Sequence, residues 1–536
     1  MELKNWEIKL GILHKRVEAF YQGYRQNVAL LGDNADEITY LLESYFSSVP
    51  SKNIVRIRTT TSYLGKNEFF RAIAFSILSE YSCTASNLDI LLGINSPTIP
   101  ATTNFIKICL GKNDITFLDC LEVINKFINE TGKKCILIIN EFSNLPELFN
   151  DFNSDFSKFI ILQNGCMVLL TASHMKSAEK FLSGELNLLF GNFEKVFLNE
   201  ISFLKNALYL KEKISPCSPS PCFMSFFINA FGTNLMYYDI ISPFIRKHYS
   251  AENEDASALS IIAETLYSKE TYFYQYFIQK IKNLEFIFKD HSTVVKLLLA
   301  ISQGYLRKKD LIALNIYGPK DLILRLQKLL DANYIENLGD IYKIQDSLFS
   351  FWLCHIFRFY FSTPALSPVE NKRFFSESLK EEMLGFREDF YTDKIKKVMQ
   401  LFSLFRNDTL RLGKNKYRLP SMEKVKLVSY PQKEFHLLVG EGKEIVFTGV
   451  KETDTSENDL VEFIEKGRNV KGRSVRKIFI SLGEIPSTVK LIAKNNKIIA
   501  WDIDDINRLF SVYNRAILGY ETTPEQRFCI NENVMV

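Results

Sequence analysis

The segment VALLGDNADEITYLL, residues 28–42, decides the fold class of the first part of the chain. It consists of a continuous apolar run, Gly32, a short acidic stretch and the start of an amphipathic helix. A strand, a glycine turn and a helix in this order are typical of a phosphate-binding loop. The side chains that hold phosphate in such a loop are nevertheless missing.

Apolar runs of the same kind recur through residues 1–200, separated by helix-like segments. The runs are NVALLG (27–32), NIVRIRT (53–59), CILIIN (135–140), CMVLLTAS (166–173) and KVFLNE (195–200). Nearly continuous apolar runs indicate parallel strands that helices cover on both faces. The alternation of strand and helix therefore predicts an α/β fold with a doubly wound parallel sheet.

The rest of the 536-residue chain predicts three further parts. Residues 201–290 favour long helices and predict a helical lid. Residues 291–353 have the order helix, helix, helix and β-ribbon, which predicts a winged helix–turn–helix. After a Pro/Ser-rich linker, residues 366–520 predict a last α/β domain that contains a hairpin through GEGK.

Composition narrows the class of protein without assigning a function. Hydrophobic residues make up 46% and charged residues 24% of the chain, as in ordinary globular proteins. The net charge of +4 is too small to indicate nucleic acid by itself. Apolar runs stay well short of the ~20 residues that span a bilayer. The N-terminal sequence MELKNWEIKL lacks the apolar core of a signal peptide, so a cytoplasmic protein without a membrane partner is expected.

The loop after the first strand departs from the Walker A pattern GxxxxGK[ST]. In a working loop the backbone amides cradle phosphate, the lysine neutralises charge and the hydroxyl binds magnesium. Here Gly32 takes the first position and Thr39 the last, whereas Glu37 replaces the second glycine and Ile38 replaces the lysine. The cation that the pattern needs is absent from its usual place.

Acidic side chains in the same loop oppose polyphosphate further. Asp33, Asp36 and Glu37 stand where a triphosphate has to lie. One like-charge pair at ~4 Å costs about 4 kcal/mol at an effective dielectric near 20. Tight binding of a triphosphate in the usual pose is therefore not expected.

The strand CILIIN is the candidate Walker B strand, whose tip carries Asp-Glu in active enzymes. In this chain the pair is Asn140-Glu141, so the charge that supports magnesium is lost and a residual Glu141 remains. Thr171, at the end of the next strand, stands where a polar residue can sense a γ-phosphate. Taken alone, residues 28–42 read better as an ordinary strand–turn–helix with acids at a helix start. The ordered set of altered strands favours a nucleotide-binding fold that has lost hydrolysis.

This ordered set resembles the archaeal-type ATPases, P-loop proteins of the STAND/AAA+ kind, over most of the chain. HKRVEAF (14–20) is similar to the RxxEL segment before the first strand of that family. FGTNLMYY (231–238) lies where the family has a GGxPxYL-like turn, with Leu235 in place of proline. YKIQDSLFSFWL (342–353) resembles the segment Y-x-I-x-D-P-L-F-x-F-W, with Ser347 in place of proline.

The resemblance also implies a C-terminal nuclease-like domain of the PD-(D/E)xK type, which resembles the restriction endonucleases. That motif needs two carboxylates because Mg²⁺ prefers hard oxygen ligands. The alignment places His436 at the aspartate and Gly449-Val450-Lys451 at Glu-x-Lys, so only Lys451 survives. We therefore expect no nuclease activity and no metal at this remnant.

The predicted winged helix keeps cations that can contact DNA phosphates and bases. They are Lys320, Arg325 and Lys328 on its third helix and Arg307 and Lys308 before its second helix. Helical spacing places Leu322, Leu326, Leu329 and Leu330 on the buried side of the third helix. Asp321 and Asp331 dilute the positive field, and winged helices also dock proteins, so both roles remain open.

Three functions are compatible with these patterns. The leading hypothesis is a catalytically degenerate ATPase homologue that acts on a protein partner as a scaffold, adaptor or regulatory subunit, without a cofactor. The second is a switch protein of the same family that holds ATP or ADP, with Mg²⁺, but does not hydrolyse it. The third is a winged-helix DNA-binding protein.

Overall fold

The computed structural model divides the chain into two compact units, residues 1–200 and 201–536. It describes residues 5–32, 34–49, 54–61, 65–150, 152–173, 175–183, 193–198, 203–362, 367–412, 415–428, 435–468, 470, 475–483 and 485–518. The predicted division of the second unit into a lid, a winged helix and a last domain stays a prediction.

The first unit alternates strands and helices. In chain order its elements are α1 (Asn5–Tyr21), β1 (Asn27–Leu31), α2 (Ala35–Ser48), β2 (Ile54–Thr60), α3 (Lys66–Ser82), α4 (Leu88–Asn95), α5 (Pro100–Leu110), α6 (Phe117–Thr131), β3 (Lys134–Asn140), α7 (Leu145–Leu148), α8 (Phe152–Leu162), β4 (Cys166–Ala172), α9 (Met175–Ser183) and β5 (Phe193–Phe197). The strands form a parallel sheet in the order β2-β3-β4-β1-β5. This arrangement confirms the predicted α/β class and fits a P-loop ATPase fold.

Alternate residues of each strand face two separate apolar cores. Leu30 of β1 packs with α1 and α2 on one face of the sheet, whereas Leu31 packs with α3 and α6 on the other. Every residue of β1 is buried as a result. Both cores explain why these strands read as continuous apolar runs rather than alternating ones. The last strand begins at Phe193, two residues before its predicted start.

The second unit begins with helices and a short β-ribbon. Its elements up to residue 362 are α10 (Phe203–Lys213), α11 (Pro221–Phe231), α12 (Leu235–His248), α13 (Glu254–Ile262), α14 (Tyr272–Ile287), α15 (His291–Ser302), α16 (Lys308–Ala313), α17 (Pro319–Asp331), β6 (Ile335–Asn337), β7 (Tyr342–Ile344), α18 (Ser347–Trp352) and α19 (Arg358–Ser362). The strands β6 and β7 pair antiparallel, and Arg307 forms a further antiparallel bridge with Ile341.

The remaining elements surround a second sheet. They are α20 (Pro368–Phe390), α21 (Lys394–Ser403), β8 (Asp408–Leu412), β9 (Asn415–Leu419), β10 (Met422–Val428), β11 (His436–Gly442), β12 (Ile445–Lys451), α22 (Glu457–Arg468), β13 (Val475–Ser481), α23 (Ser487–Asn495), β14 (Ile498–Trp501) and α24 (Ile503–Val512). The sheet order is β10-β11-β12-β13-β14, with its first three strands antiparallel and its last three parallel. The predicted hairpin through GEGK is the β11–β12 pair. The sequence analysis left β8, β9 and β10 unassigned.

Candidate functional site

The turn between β1 and α2 is short and already capped. Helix α2 begins at Ala35, and its N-cap Asn34 accepts hydrogen bonds through Oδ1 from the amides of Asp36 and Glu37, each at 3.0 Å. Asp33 lies outside the described residues. Amides at a helix start are the groups that bind phosphate in a P-loop. Here a side chain of the protein occupies two of them.

Glu37 is paired with a lysine from the preceding helix. Lys9 Nζ lies 2.6 Å from Glu37 Oε1, and their side chains are only 5% and 12% exposed. Glu37 stands at the position of the second motif glycine, so this pair fills the place where a P-loop leaves space for phosphate. The charge of Lys9 is matched by Glu37 rather than offered to a ligand.

The two residues after Glu37 point away from a ligand position. Ile38 is 1% exposed and belongs to the core between α1, α2 and β1. Its Cδ1 packs so closely on Gly32 that a Cβ added to this glycine would lie 3.2 Å away. Thr39 is exposed and its Oγ1 donates to the Ala35 carbonyl at 2.9 Å. The position of the motif lysine therefore serves the core, and the motif hydroxyl binds its own helix.

Polar side chains at the tips of β3 and β4 bond one another. Asn140 lies opposite Thr171 in the parallel register, and Thr171 Oγ1 donates to Asn140 Oδ1 at 2.9 Å. Thr171 also lies opposite Leu30 of β1, which places this pair beside the turn. The structure thus brings together the predicted residues of both strands, as a closed hydrogen bond rather than as separate ligands.

Glu141 is turned inward at the same edge. It adopts a left-handed backbone with φ 55°, is 8% exposed, and accepts the amide of Ser173 at 3.0 and 3.3 Å through its two carboxylate oxygens. Burial raises the pKa of Glu141, the hydrogen bonds from Ser173 lower it in part, and the charge of Asp36 raises it further. The residue that polarises water in active enzymes is here bound to the protein.

Three contributors to this edge escaped the sequence analysis: Lys9, Asn34 and Thr61. Thr61 follows β2 and its hydroxyl donates to the Glu141 carbonyl, while its amide donates to the Asn140 carbonyl at 3.0 Å. Asn34 has a local signal, because an asparagine followed by acids marks a helix start. Lys9 has none, because its partner lies 28 residues away along the chain.

Two arginines predicted to contact DNA make internal ion pairs. Arg307 binds Asp408 with both sides of its guanidinium, Nε to Oδ1 at 2.8 Å and Nη2 to Oδ2 at 2.7 Å. The Asp408 side chain is 3% exposed. Arg325 Nε donates to Asp290 Oδ2 at 3.1 Å, and Tyr317 donates to the same oxygen at 2.6 Å. These guanidinium groups stabilise the second unit itself.

The lysines of the same prediction are more accessible. Lys320 and Lys328 are exposed on α17, with Lys328 Nζ 5.9 Å from the centre of the Phe288 ring, and Lys308 is half-buried. Of the leucines expected on the buried side, Leu322, Leu326 and Leu329 are buried and Leu330 is half-buried. The exposed side of α17 also carries Ile323 and Leu324, which are 46% and 57% exposed.

The nuclease-like remnant of the second sheet is filled by apolar packing. A Cβ on Gly449 would lie 2.7 Å from Phe463 Cδ2 and 3.2 Å from Phe479 Cδ2. His436 is exposed at the start of β11, with Nε2 3.4 Å from a carboxylate oxygen of Glu452. A longer side chain has no space at position 449, so the structure leaves no place there for a carboxylate.

Lys451 of the same remnant is held in a buried ion pair. Its Nζ donates to Asp459 Oδ2 at 2.6 Å, and the two side chains are 8% and 6% exposed. Burial raises the pKa of Asp459, but the hydrogen bonds from Lys451 and Ser456 outweigh it and hold the pKa below its ordinary value. This lysine supports the packing of α22 on the sheet.

Two general searches of the described residues complete the picture. No group of three or more His, Cys, Asp or Glu side chains there is arranged to hold a metal ion. Among the same residues, no helix has both the length and the apolar character needed to cross a bilayer.

Comparisons with known proteins give distant structural likenesses only. No protein-family model and no curated protein matches the chain. A Walker-type ATPase of Pyrococcus abyssi is similar at 14% identity and a TM-score of 0.43, over 66% of this chain and 96% of that one. The ORC2 protein of Aeropyrum pernix, solved with ADPNP and ADP, has 8% identity and a TM-score of 0.39, over 70% and 93%. The ORC1 protein of the same organism, solved with DNA, has 10% identity and a TM-score of 0.34, over 66% and 92%. At TM-scores below 0.5, these likenesses assign no activity to this chain.

Proposed function

We propose that this chain is a non-hydrolysing homologue of the P-loop ATPases that serves a protein partner as a scaffold, adaptor or regulatory subunit. The observation that carries the proposal is the burial of Ile38, at 1% exposure, in the core beneath Gly32. An aliphatic side chain in that place contributes to folding and leaves the loop without its phosphate-binding cation.

Electrostatics around the loop support the same conclusion. The nearby ammonium of Lys9 is neutralised by Glu37, and the first amides of α2 are bonded to Asn34. The carboxylate of Asp36 remains at the helix start, where each additional phosphate charge at ~4 Å costs about 4 kcal/mol at an effective dielectric near 20. A triphosphate entering this turn has to break the cap and the ion pair before it gains any contact.

The edge of the sheet offers little to a magnesium ion. Asn140 supplies no charge and its Oδ1 already accepts from Thr171. Glu141 holds the Ser173 amide with both carboxylate oxygens. Mg²⁺ requires near-octahedral oxygen ligands and usually one or two carboxylates. We therefore propose that neither ATP nor ADP with Mg²⁺ is a resident cofactor.

The second unit supports a role in binding other molecules through its surfaces. We propose that α15–α17 with the β6–β7 ribbon are a winged helix, and that the second sheet has a nuclease-like fold whose catalytic position is closed by Phe463. On α17 the exposed pair Ile323 and Leu324 favours a protein partner, because phosphate contacts use cations rather than aliphatic side chains. Direct DNA binding by α17 is the weaker alternative.

The proposal is tested with nucleotide binding and turnover on the full chain. Purified protein is extracted and its nucleotide content measured by mass spectrometry, and its thermal unfolding is followed with ATP or ADP, with and without Mg²⁺. We expect no co-purified nucleotide and superimposable unfolding curves. Mg²⁺-dependent ATP turnover that Glu141→Gln abolishes, or a stoichiometric bound nucleotide, would overturn the proposal, and the latter would establish the switch alternative.

A further inference from the structure

The hairpin formed by β8 and β9 has one apolar face and one cationic face. Leu410 and Leu419 are fully buried, and the Tyr417 ring packs edge-on against Trp501 with centroids 5.7 Å apart. In the antiparallel register Arg411 lies opposite Lys416, and Thr409 lies opposite Arg418. Directly opposed residues share a face, so these cations all lie on the side away from the core. Arg411, Lys416 and Arg418 are exposed.

The positive charge on this face is largely unneutralised. Within the part of the chain that the structure describes, neither Arg411 nor Lys416 has an ion-pair partner. Arg418 is 62% exposed and lies 4.0 Å from Glu444, whose other carboxylate oxygen binds Arg476 at 3.1 Å. Like charges directly opposed in a ribbon are destabilising. A pair such as Arg411 and Lys416 therefore costs stability that folding alone does not require.

The surrounding sequence has the same bias. Residues 406–426 contain seven basic and two acidic residues. The basic ones are Arg406, Arg411, Lys414, Lys416, Arg418, Lys424 and Lys426. One of the two acids, Asp408, is buried in its pair with Arg307. The alternation of leucine or tyrosine with basic residues along 410–419 is the sequence signal that could have identified a two-sided ribbon here.

The hairpin is fixed to the tip of the β6–β7 ribbon. The Arg411 amide donates to the Leu338 carbonyl and the Asp340 amide donates to the Thr409 carbonyl, both at 2.9 Å. Asp340 Oδ2 in turn accepts the Thr409 amide at 2.7 Å. At Gly339, where φ is 102°, a Cβ would lie 2.0 Å from the Thr409 carbonyl oxygen, so only glycine allows this approach. A cationic face held this firmly loses little conformational entropy on binding a ligand.

We infer that the exposed face of the β8–β9 hairpin, Arg411, Lys416 and Arg418, binds the phosphate backbone of double-stranded nucleic acid. Guanidinium and ammonium groups on a flat ribbon suit phosphate oxygens, and no base-reading side chain accompanies them. The described residues of the hairpin include no large exposed apolar side chain. An amphipathic membrane-binding surface presents such side chains, and so does the core of a protein interface. The aromatic ring of Tyr417 lies on the buried face, where it cannot stack on the bases of a single strand.

The inference differs from the α17 hypothesis in the residues that it makes responsible. On the predicted winged helix, Arg307 and Arg325 are engaged by Asp408 and Asp290. The ribbon tip itself carries the exposed acid Asp340. The hairpin supplies the cations that this ribbon lacks. Duplex binding by the hairpin requires nothing of the nucleotide-binding edge, so its test and the ATP test fail independently.

The test measures binding of the full chain to a short labelled DNA duplex of arbitrary sequence by fluorescence anisotropy, from about 50 to 200 mM salt. The variant Arg411→Gln/Lys416→Gln/Arg418→Gln is expected to lose about tenfold or more in affinity and to show a shallower salt dependence, by about two to three contacts. Arg71→Gln/Lys107→Gln/Lys158→Gln changes three exposed cations of the first unit by the same net charge and should bind like the wild type.

Further variants separate the alternatives. Arg411→Lys/Arg418→Lys keeps the charge and should keep most of the affinity, and circular dichroism checks that each variant is folded. Lys320→Gln/Lys328→Gln on α17 should bind duplex normally. Undiminished binding by the triple hairpin variant, or loss confined to the α17 variant, overturns the inference. Wild-type binding to anionic vesicles or to polyglutamate as tight as to duplex also overturns it, because the surface would then not be a nucleic-acid site.

Discussion

The ammonium of Lys9 lies 2.6 Å from the carboxylate of Glu37, with both side chains nearly withdrawn from solvent. This pair joins α1 to the first turn of α2 at the position where a P-loop receives phosphate. Its arrangement indicates that the turn has been rebuilt as a structural contact. Glu37 replaces the glycine of the motif and finds its cation outside the motif.

A double-mutant cycle measures how strongly this pair stabilises the first unit. Lys9→Met and Glu37→Gln each leave a partly buried charge unpaired, so each should lower the free energy of unfolding by about 1–3 kcal/mol. The double variant should lose less than the sum of the two. The exposed pair Lys66 and Asp114, 2.9 Å apart, is the matched control and should couple by less than about 1 kcal/mol in urea unfolding. Additive losses at Lys9 and Glu37 would contradict the proposed contact.

Glu141→Gln should raise stability in a pH-dependent way. The pKa of Glu141 is raised, chiefly by burial, so ionisation is unfavourable in the folded state and stability falls as pH rises towards and through that pKa. Glutamine keeps an acceptor for the Ser173 amide and cannot ionise. The unfolding midpoint of the variant should therefore exceed that of the wild type at pH 8 and match it well below the ordinary pKa of a glutamate. The exposed Glu147→Gln is the control, and an equal gain there at pH 8 would exclude this cause.

The sheet of the first unit was predictable because its physical signal is local. Five apolar runs gave five strands, since a strand covered on both faces has no polar side to interrupt the pattern. The candidate residues at the strand ends also lie together, because parallel strands end at one edge of the sheet. Their hydrogen bonds to each other could not be predicted, because they depend on register and on Thr61 and Ser173.

Long-range ion pairs were beyond the reach of the sequence patterns. Arg307 and Arg325 were assigned to DNA because they stand near a predicted recognition helix, and counting charges on that helix alone cannot reveal Asp408 or Asp290. The β8–β9 hairpin was left unassigned for a related reason. Its pattern becomes clear only when Leu410 and Leu419 are seen to share a buried face.

The pair of Arg307 and Asp408 predicts sensitivity to acid. Burial raises the pKa of Asp408, but its hydrogen bonds with Arg307 and the Arg406 amide outweigh this and hold the pKa below 3.8. Its contribution is therefore present above pH 3.8 and lost as pH falls through the lower value. Asp408→Asn should lower the free energy of unfolding by about 2–4 kcal/mol at pH 7 and reduce the loss of stability in acid.

A second aspartate beside the same arginine provides the control for that measurement. Asp310 lies 3.9 Å from Arg307 and is more exposed, so Asp310→Asn should change stability by less than about 1 kcal/mol. Calorimetric unfolding at pH 7 and in acid compares the two variants. Equal effects of the two substitutions would show that the close pair with Asp408 has no special weight.

Restoring the nuclease carboxylate should damage the fold rather than recover an activity. Gly449→Glu places a Cβ 2.7 Å from the Phe463 ring, which is itself stacked on Phe447 with centroids 5.1 Å apart. Overpacking together with a buried charge should cost about 2–4 kcal/mol in urea unfolding. Val428→Glu adds the same group at an exposed position of β10 and should cost less than about 1 kcal/mol. Normal stability of Gly449→Glu combined with Mg²⁺-dependent DNA cleavage would show that the position is open and that one carboxylate was all the site lacked.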